Sequence, residues 1–195
     1  MQLWKANKER YKEIYFNRRD DLRIRNSALD YGKRVADALE RQTDLGDPFE
    51  DSVLDLIKKY DVRDQEMFVE FKTDAGWLKL IGKPDTFDSK TFEFREYKTG
   101  KVKWTQAKAE KHPQMTFYAV IIYLKYGKIL ADAWLDWVET YADSEGKLTL
   151  TGKALSFNVP LGTGKILTCL ADIVQTAKEI ELEYLSHVRP PEEEF

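Results

Sequence analysis

Apolar residues recur along the chain at two spacings, and the change from one to the other divides it. Leu29, Gly32, Val35, Ala36 and Leu39 fall at helical spacing, as do Phe49, Val53, Leu56, Ile57 and Tyr60. Gly46, Asp47 and Pro48 between the two sets supply a loop and a helix start. The first 60 residues therefore predict helices, two of them joined by a short loop. From Met67 the period becomes two. Met67, Val69 and Phe71 alternate, Trp77, Leu78, Leu80 and Ile81 follow, and the residues from Thr73 to Gly76 form a turn, which predicts a hairpin. Asp88, Ser89 and Lys90 turn the chain into a third strand over 91–98 that ends at Thr99 and Gly100, so three consecutive strands predict a meander.

Residues 113–125 open on Pro113 and stop before Gly127, the usual polarity of helix punctuation. They are apolar on nearly every face, which predicts a helix buried against the sheet. A fourth strand is expected over 129–138, carrying Trp134 and Trp137. Residues 141–163 are turn-rich, with one or two short strands near 147–150 and 154–159. A long helix is expected over 165–187, where Ile166, Leu170, Ile173, Val174, Ala177, Ile180 and Tyr184 share a stripe, followed by a mobile tail over 190–195.

Composition narrows the class of protein. With 195 residues, 43% hydrophobic and 33% charged, the chain fits one globular domain, too apolar for disorder and too evenly charged for a membrane protein. The longest uncharged apolar stretch, 115–124, is far short of the roughly 20 residues of a bilayer span, and the first residues lack the apolar run of a signal peptide, so no membrane partner and a cytoplasmic location are expected. One cysteine, Cys169, excludes a disulfide framework, a four-cysteine zinc site and a cysteine-ligated iron–sulfur cluster within the chain. Two histidines, His112 and His187, offer no paired ligand spacing. Hard-oxygen metal sites remain. A net charge of −3 argues against indiscriminate coating of nucleic acid but leaves room for local basic patches. Gly162, Thr163, Gly164 and Lys165 imitate a phosphate loop, yet Ile166 takes the Ser/Thr position and the upstream spacing is wrong, so no nucleotide cofactor is expected.

The third strand carries the chemistry. Its alternation puts Phe92, Phe94, Glu96 and Lys98 on one face, so a carboxylate and an ammonium continue an apolar row. Such charges are costly unless paired or metal-bound. They form a buried ion pair, an exposed strand end, or a site where the core opens into a cleft. Asp85 follows Gly82, Lys83 and Pro84, and Pro84 ends ladder pairing just before the carboxylate. Asp85 is either a turn former or, beside Glu96 in a meander, half of an oxygen-ligand pair for a divalent cation such as magnesium, with Lys98 next to it. Gln114 and Tyr118, four apart, share one face of the buried helix, as a first-turn polar residue and a core aromatic or as part of the same site. Between them and the strand lie Lys101, Lys103, Lys108 and Lys111 with Trp104, a solvated surface or a loop that captures phosphates and stacks bases on Trp104.

Taken in order, Gly82-Lys83-Pro84-Asp85, Glu96-Tyr97-Lys98-Thr99-Gly100 and Gln114 with Tyr118 resemble the motif set of the PD-(D/E)XK nuclease superfamily, specifically its RecB-like exonuclease branch, over about residues 27–138. The resemblance implies an α/β fold with a restriction-endonuclease-like core, a central mixed sheet (three-strand meander, helix, strand) flanked by helices. It divides a single nuclease domain into a helical part over 1–62, a catalytic core over 63–138 and C-terminal strands and helix over 139–189. It implies Mg2+- or Mn2+-dependent hydrolysis of DNA, with Asp85, Glu96 and the Tyr97 carbonyl as metal ligands. Lys98 would orient the attacking water, and Gln114 and Tyr118 would contact the DNA backbone or support the lysine. Where the family's early helix usually carries a histidine or a glutamate, this chain has Ala36; Glu40, one turn on, is the expected replacement in preference to Asp37. The cysteine cluster of the iron–sulfur relatives is absent, which points to a standalone recombination or repair nuclease, of the kind phages carry, with a recombination or single-strand-binding protein as partner. The alternative is a nucleic-acid-binding or assembly module that keeps the fold without turnover.

Overall fold

In the computed structural model, which describes residues 2–18, 27–58, 66–74 and 76–188, the strands sort into two sheets. β1 (Met67–Thr73) and β2 (Gly76–Gly82) form an antiparallel hairpin. β3 (Thr86–Asp88), β4 (Glu93–Gly100), β5 (Asp132–Ala142) and β6 (Leu148–Asn158) form a four-stranded sheet in that order. Within it β4 and β5 are parallel and the other pairs antiparallel. The central sheet is thus mixed, and helices flank it.

The three-strand meander is corrected. β2 pairs with β1 alone, and the unforeseen β3 supplies the antiparallel neighbour of β4. Pro84 has no N–H to give a ladder, so pairing lapses between Gly82 and Thr86 and the chain changes sheets there. Phe92, at φ 59, closes the turn after Asp88, whose Oδ1 accepts from the Lys90 N–H at 2.8 Å; β4 therefore begins at Glu93, two residues later than the alternation suggests. Of the one or two short strands expected after residue 141 there is one, β6, longer than expected because it runs on through Gly152 at φ +89.

Seven helices are described: α1 (Gln2–Ala6), α2 (Lys8–Tyr15), α3 (Ser27–Arg41), α4 (Pro48–Leu54), α5 (Gln106–Glu110), α6 (Pro113–Tyr126) and α7 (Thr163–Val188). Asp47 caps α4 by accepting from the N–H groups of Phe49 and Glu50 at 2.9 and 3.1 Å, and Gly127 ends α6 in the left-handed conformation. α4 stops at Leu54, short of the periodic run toward Tyr60, which, like the tail over 190–195, lies outside the described residues. The parallel pair β4 and β5 requires a crossover, and α5 with α6 provides it.

The two sheet faces have separate cores. Phe94, Leu135 and Trp137 pack with Met115, Ala119, Ile121 and Ile122 of α6 and Ile166 and Ile173 of α7. Tyr97, Val138 and Leu150 pack on the other face with Val35 and Leu39 of α3 and Val53 and Leu54 of α4. Alternation along β4 divides its side chains between the layers, each fully buried large apolar chain contributing about 1.5–3 kcal/mol. Among the described residues no helix is long and apolar enough to cross a membrane.

Candidate active site

The site is assembled where three elements meet over β4. β2 arrives tight against α6: a Cβ on Gly82 would stand 2.6 Å from Ile121 Cδ1 and 3.0 Å from the Tyr118 ring, so only glycine lets the strand pass. Three residues on, Asp85 is held by its Oδ2, which accepts the Tyr97 N–H at 2.5 Å. Because Pro84 freed the strand from ladder pairing, the carboxylate takes the place of a strand partner. α3 closes in from the opposite side, with Gly32 so near Thr99 that a Cβ would meet its Oγ1 at 2.6 Å. That approach carries Ala36, Asp37 and Glu40 to the rim of a cleft of about 490 Å³, shared with Lys83, Asp85, Glu96 and Lys98.

Glu96 and Lys98, on the row begun by Phe94, face one another. Lys98 Nζ donates to Glu96 Oε1 at 2.5 Å and to Gln114 Oε1 at 2.7 Å. Gln114 Nε2 in turn donates to the Tyr118 hydroxyl at 2.8 Å, and the Tyr118 ring meets Phe94 edge-on at 6.1 Å. Gln114 and Tyr118 are thus brought to the lysine. Glu40, also buried, receives Lys83 Nζ at 3.3 Å and hydrogen-bonds the carboxyl of Asp85. Lys83, inside the Gly-Lys-Pro-Asp run, is a cleft residue the sequence does not single out, since a lysine after a strand ordinarily faces solvent.

The electrostatics are unbalanced toward negative charge. Burial, and then the charge of Glu96, raise the Asp85 carboxyl, against the Tyr97 N–H and Lys98. Burial raises Glu96 as well, opposed by Lys98 and reinforced by Glu40. Glu96 is 2% exposed, and its Oε2 has no hydrogen-bond partner among the described residues. A buried oxygen without a donor costs about 1–3 kcal/mol, more when charged. Asp85 and Glu40, hydrogen-bonded carboxyl groups with Glu96 beside them, hold either a shared proton or a cation, and an oxygen-only donor set suits Mg2+ or Mn2+ over zinc. The residues therefore fit a hard divalent ion. Among the described residues no three His, Cys, Asp or Glu side chains form a cage for one, so backbone oxygens and water are left to complete its shell.

The basic loop behaves differently from expectation. Lys101, Lys103, Lys108 and Lys111 are exposed, but Trp104 is 8% exposed and belongs to the main core. Its ring meets His112 at 5.1 Å and carries Lys108 Nζ 4.2 Å above its centroid. Trp104 therefore has no open face for a base, and the stacking role is corrected. The reason is α5: Thr105 caps it, with Oγ1 accepting from the Lys108 N–H at 3.2 Å, and Ala109 is fully buried, which folds the loop onto the core.

A family model described as PD-(D/E)XK nuclease superfamily matches residues 5–159. Among solved structures the chain is similar to a candidate exonuclease from Eubacterium rectale, with a TM-score of 0.51 and 14% identity, covering 95% of this chain and 85% of that one. The crystal structure of SSO0001 gives a TM-score of 0.45 at 14% identity, covering 97% and 79%. No curated protein matches the chain.

Proposed function

Because the chain belongs to the PD-(D/E)XK nuclease superfamily, whose members generally use divalent metal ions, we propose that it hydrolyses DNA phosphodiester bonds in the cleft between α3 and β4. The finer reading is a RecB-like exonuclease serving recombination or repair, requiring Mg2+ or Mn2+. One observation carries it: Asp85, Glu96 and Lys98 converge, with Glu96 Oε2 buried and unpartnered.

In this reading Asp85 and Glu96 hold the metal, and the Tyr97 carbonyl and Glu40 are the further oxygens it would draw on. The bound ion would neutralise charge developing at phosphorus and make its water more acidic. The chain's own part is positioning. The Tyr97 N–H fixes the Asp85 carboxylate at one oxygen and leaves the other for the cleft. Tyr118 fixes Gln114 so that its carbonyl oxygen, not its amide nitrogen, faces Lys98. An ammonium has three hydrogens, and Glu96 and Gln114 engage two. The third is free to orient the attacking water or a phosphate oxygen. Water attacks phosphorus and the ester oxygen leaves, with no covalent bond to the protein.

The test is incubation with end-labelled linear DNA and with covalently closed circles, with and without Mg2+. Metal-dependent loss of label from linear DNA with circles intact is expected. Nicked or linearised circles would overturn the exonuclease reading, and binding without any cleavage in Mg2+ or Mn2+ would overturn the enzyme itself.

A further inference from the structure

The β1–β2 hairpin has one face in the core and one exposed, bordered at its Trp77 end by Tyr11, Tyr15, Phe16 and Tyr184 around a cavity of about 640 Å³. Its register pairs Phe68 with Ile81, Glu70 with Lys79 and Lys72 with Trp77, and strand alternation puts all six on the outer face. Phe68, Trp77 and Ile81 are 57%, 76% and 53% exposed, while Met67 and Leu80 behind them are buried. Lys79 Nζ stands 4.9 Å over the Phe68 ring and 3.6 Å from Glu70. The result is an exposed strip with two rings, Trp77 open and Phe68 with an ammonium over one face, and lysines beside them.

Two facts select the occupant. The first is area. Two seven-residue strands, at about 3.4 Å rise and 4.8 Å separation, offer a strip of roughly 230 Å² in plan. A stable protein interface takes about 800 Å² from each partner and is depleted of lysine. The strip is too small and too rich in charge for a second copy, but rings beside ammonium groups on a narrow track suit bases that stack while phosphates follow the lysines. The second is continuity. β2 runs directly into the cleft, and Asp85, four residues past Ile81, lies within about 14 Å of it.

We propose that the outer face of the hairpin is a stacking platform for a few nucleotides of single-stranded nucleic acid, continuous with the strand in the cleft. The proposal rests on the nuclease reading for the direction of that strand, but its test needs no turnover. Trp77 is the one largely exposed tryptophan of five, since Trp4, Trp104 and Trp137 are buried and Trp134 is half-buried. Its emission therefore reports on the strip.

A fluorescein-labelled 20-nucleotide oligothymidylate is titrated onto the full chain in EDTA, following anisotropy and, with unlabelled oligomer, tryptophan emission. Binding should quench the emission. Trp77→Phe should keep the affinity within about twofold and lose the quenching. Phe68→Ser and Trp77→Ser should each weaken binding about fivefold or more, at an unchanged thermal midpoint, because neither side chain is in the core. Turnover of bis(p-nitrophenyl) phosphate with Mn2+, a substrate too small to span cleft and strip, should equal that of the wild type in all three variants. Unchanged affinity in the serine variants overturns the platform, as does a shift in oligomeric state by light scattering without a change in affinity, or a parallel fall in turnover of the small ester. If the wild type cuts no DNA at all, the nuclease reading alone fails, and quenching and affinity still decide the platform.

Discussion

Replacing Asp85 by asparagine should stabilise the metal-free protein while abolishing cleavage. The side chain keeps its shape and loses its charge. In the native cleft the Asp85 carboxyl is raised from 3.8 to about 7, first by burial and then by Glu96. At about 1.4 kcal/mol per pH unit, ionising it at pH 8 costs up to about 4 kcal/mol. The cleft leaves Asp85 partly exposed, so solvent screening trims that figure, and the amide oxygen accepts the Tyr97 N–H less strongly than a carboxylate, which returns about 1 kcal/mol. A net gain of about 1–2 kcal/mol remains, or roughly 2–8 °C for a chain of this size. The sign with pH is fixed. Native Asp85 keeps its proton where the unfolded chain has lost it, so wild-type stability falls as pH rises from 3.8 to about 7 and is flat above. Thermal unfolding in EDTA at pH 8 should therefore place Asp85→Asn above the wild type, with the gap closing by pH 4. Mg2+ should raise the wild-type midpoint at pH 8 and leave the variant unmoved. A lower midpoint for the variant in EDTA at pH 8 would refute the reasoning, since Asp85 would then be a structural anchor whose charge the fold needs.

Gln114→Leu removes an acceptor of Lys98 and Tyr118→Phe removes the hydroxyl that orients Gln114, so kcat should fall about tenfold or more in the first and less in the second, with the Mg2+-induced thermal shift intact in both; equal shifts and equal rates would detach the relay from the lysine. Glu40→Gln should raise the Mg2+ concentration needed for half-maximal cleavage more than Asp37→Asn does, as a metal titration of the rate would show. Burial and the neighbouring Lys98 and Lys108 push the His112 imidazole down to about 4; the unfolded chain then binds a proton that the native chain refuses, and stability is lost as pH falls from about 6.5 toward 4. His112→Asn should flatten that part of the midpoint-against-pH curve relative to the wild type. Lys101→Ala with Lys103→Ala should lower the log–log salt slope of DNA binding by about 0.7–0.9 for each phosphate no longer neutralised, and an unchanged slope would return both lysines to the bulk surface.

Much of the fold is written locally, and those parts are legible. Pro113 and Gly127 bound α6 because one lacks an N–H where none is needed and the other tolerates φ 66. The alternation from Met67 to Ile81 gives the hairpin because each strand buries one face. Pairing between strands is set elsewhere in the chain. Nothing near Gly82 announces that β2 leaves the central sheet, and three strands in a row read as a meander until α6 claims the space beside Gly82. Trp104 misleads for the converse reason: its neighbours in sequence are lysines, while its neighbours in space, His112 and Ala109, come from the fold of α5 onto the core.

The site is legible where a rule is broken, and β4 shows that the breach itself is not enough. The strand buries charge on both faces. On one, Arg95 Nη1 donates to both oxygens of Asp136 at 2.8 Å, and Ser156 donates to the same carboxylate at 2.5 Å. That carboxylate is paired and hydrogen-bonded, and it asks for nothing further. On the other face Glu96 has Lys98 at one oxygen and, among the described residues, no donor at the other, while Asp85 and Glu40 add negative charge beside it. A sequence reports both faces alike, as charges on a buried strand. Their difference lies in how many donors arrive, and that count depends on α3, β2 and α6 together. In the proposed reading it is an unmet carboxylate oxygen with further negative charge beside it, rather than the buried charge alone, that calls for a cation.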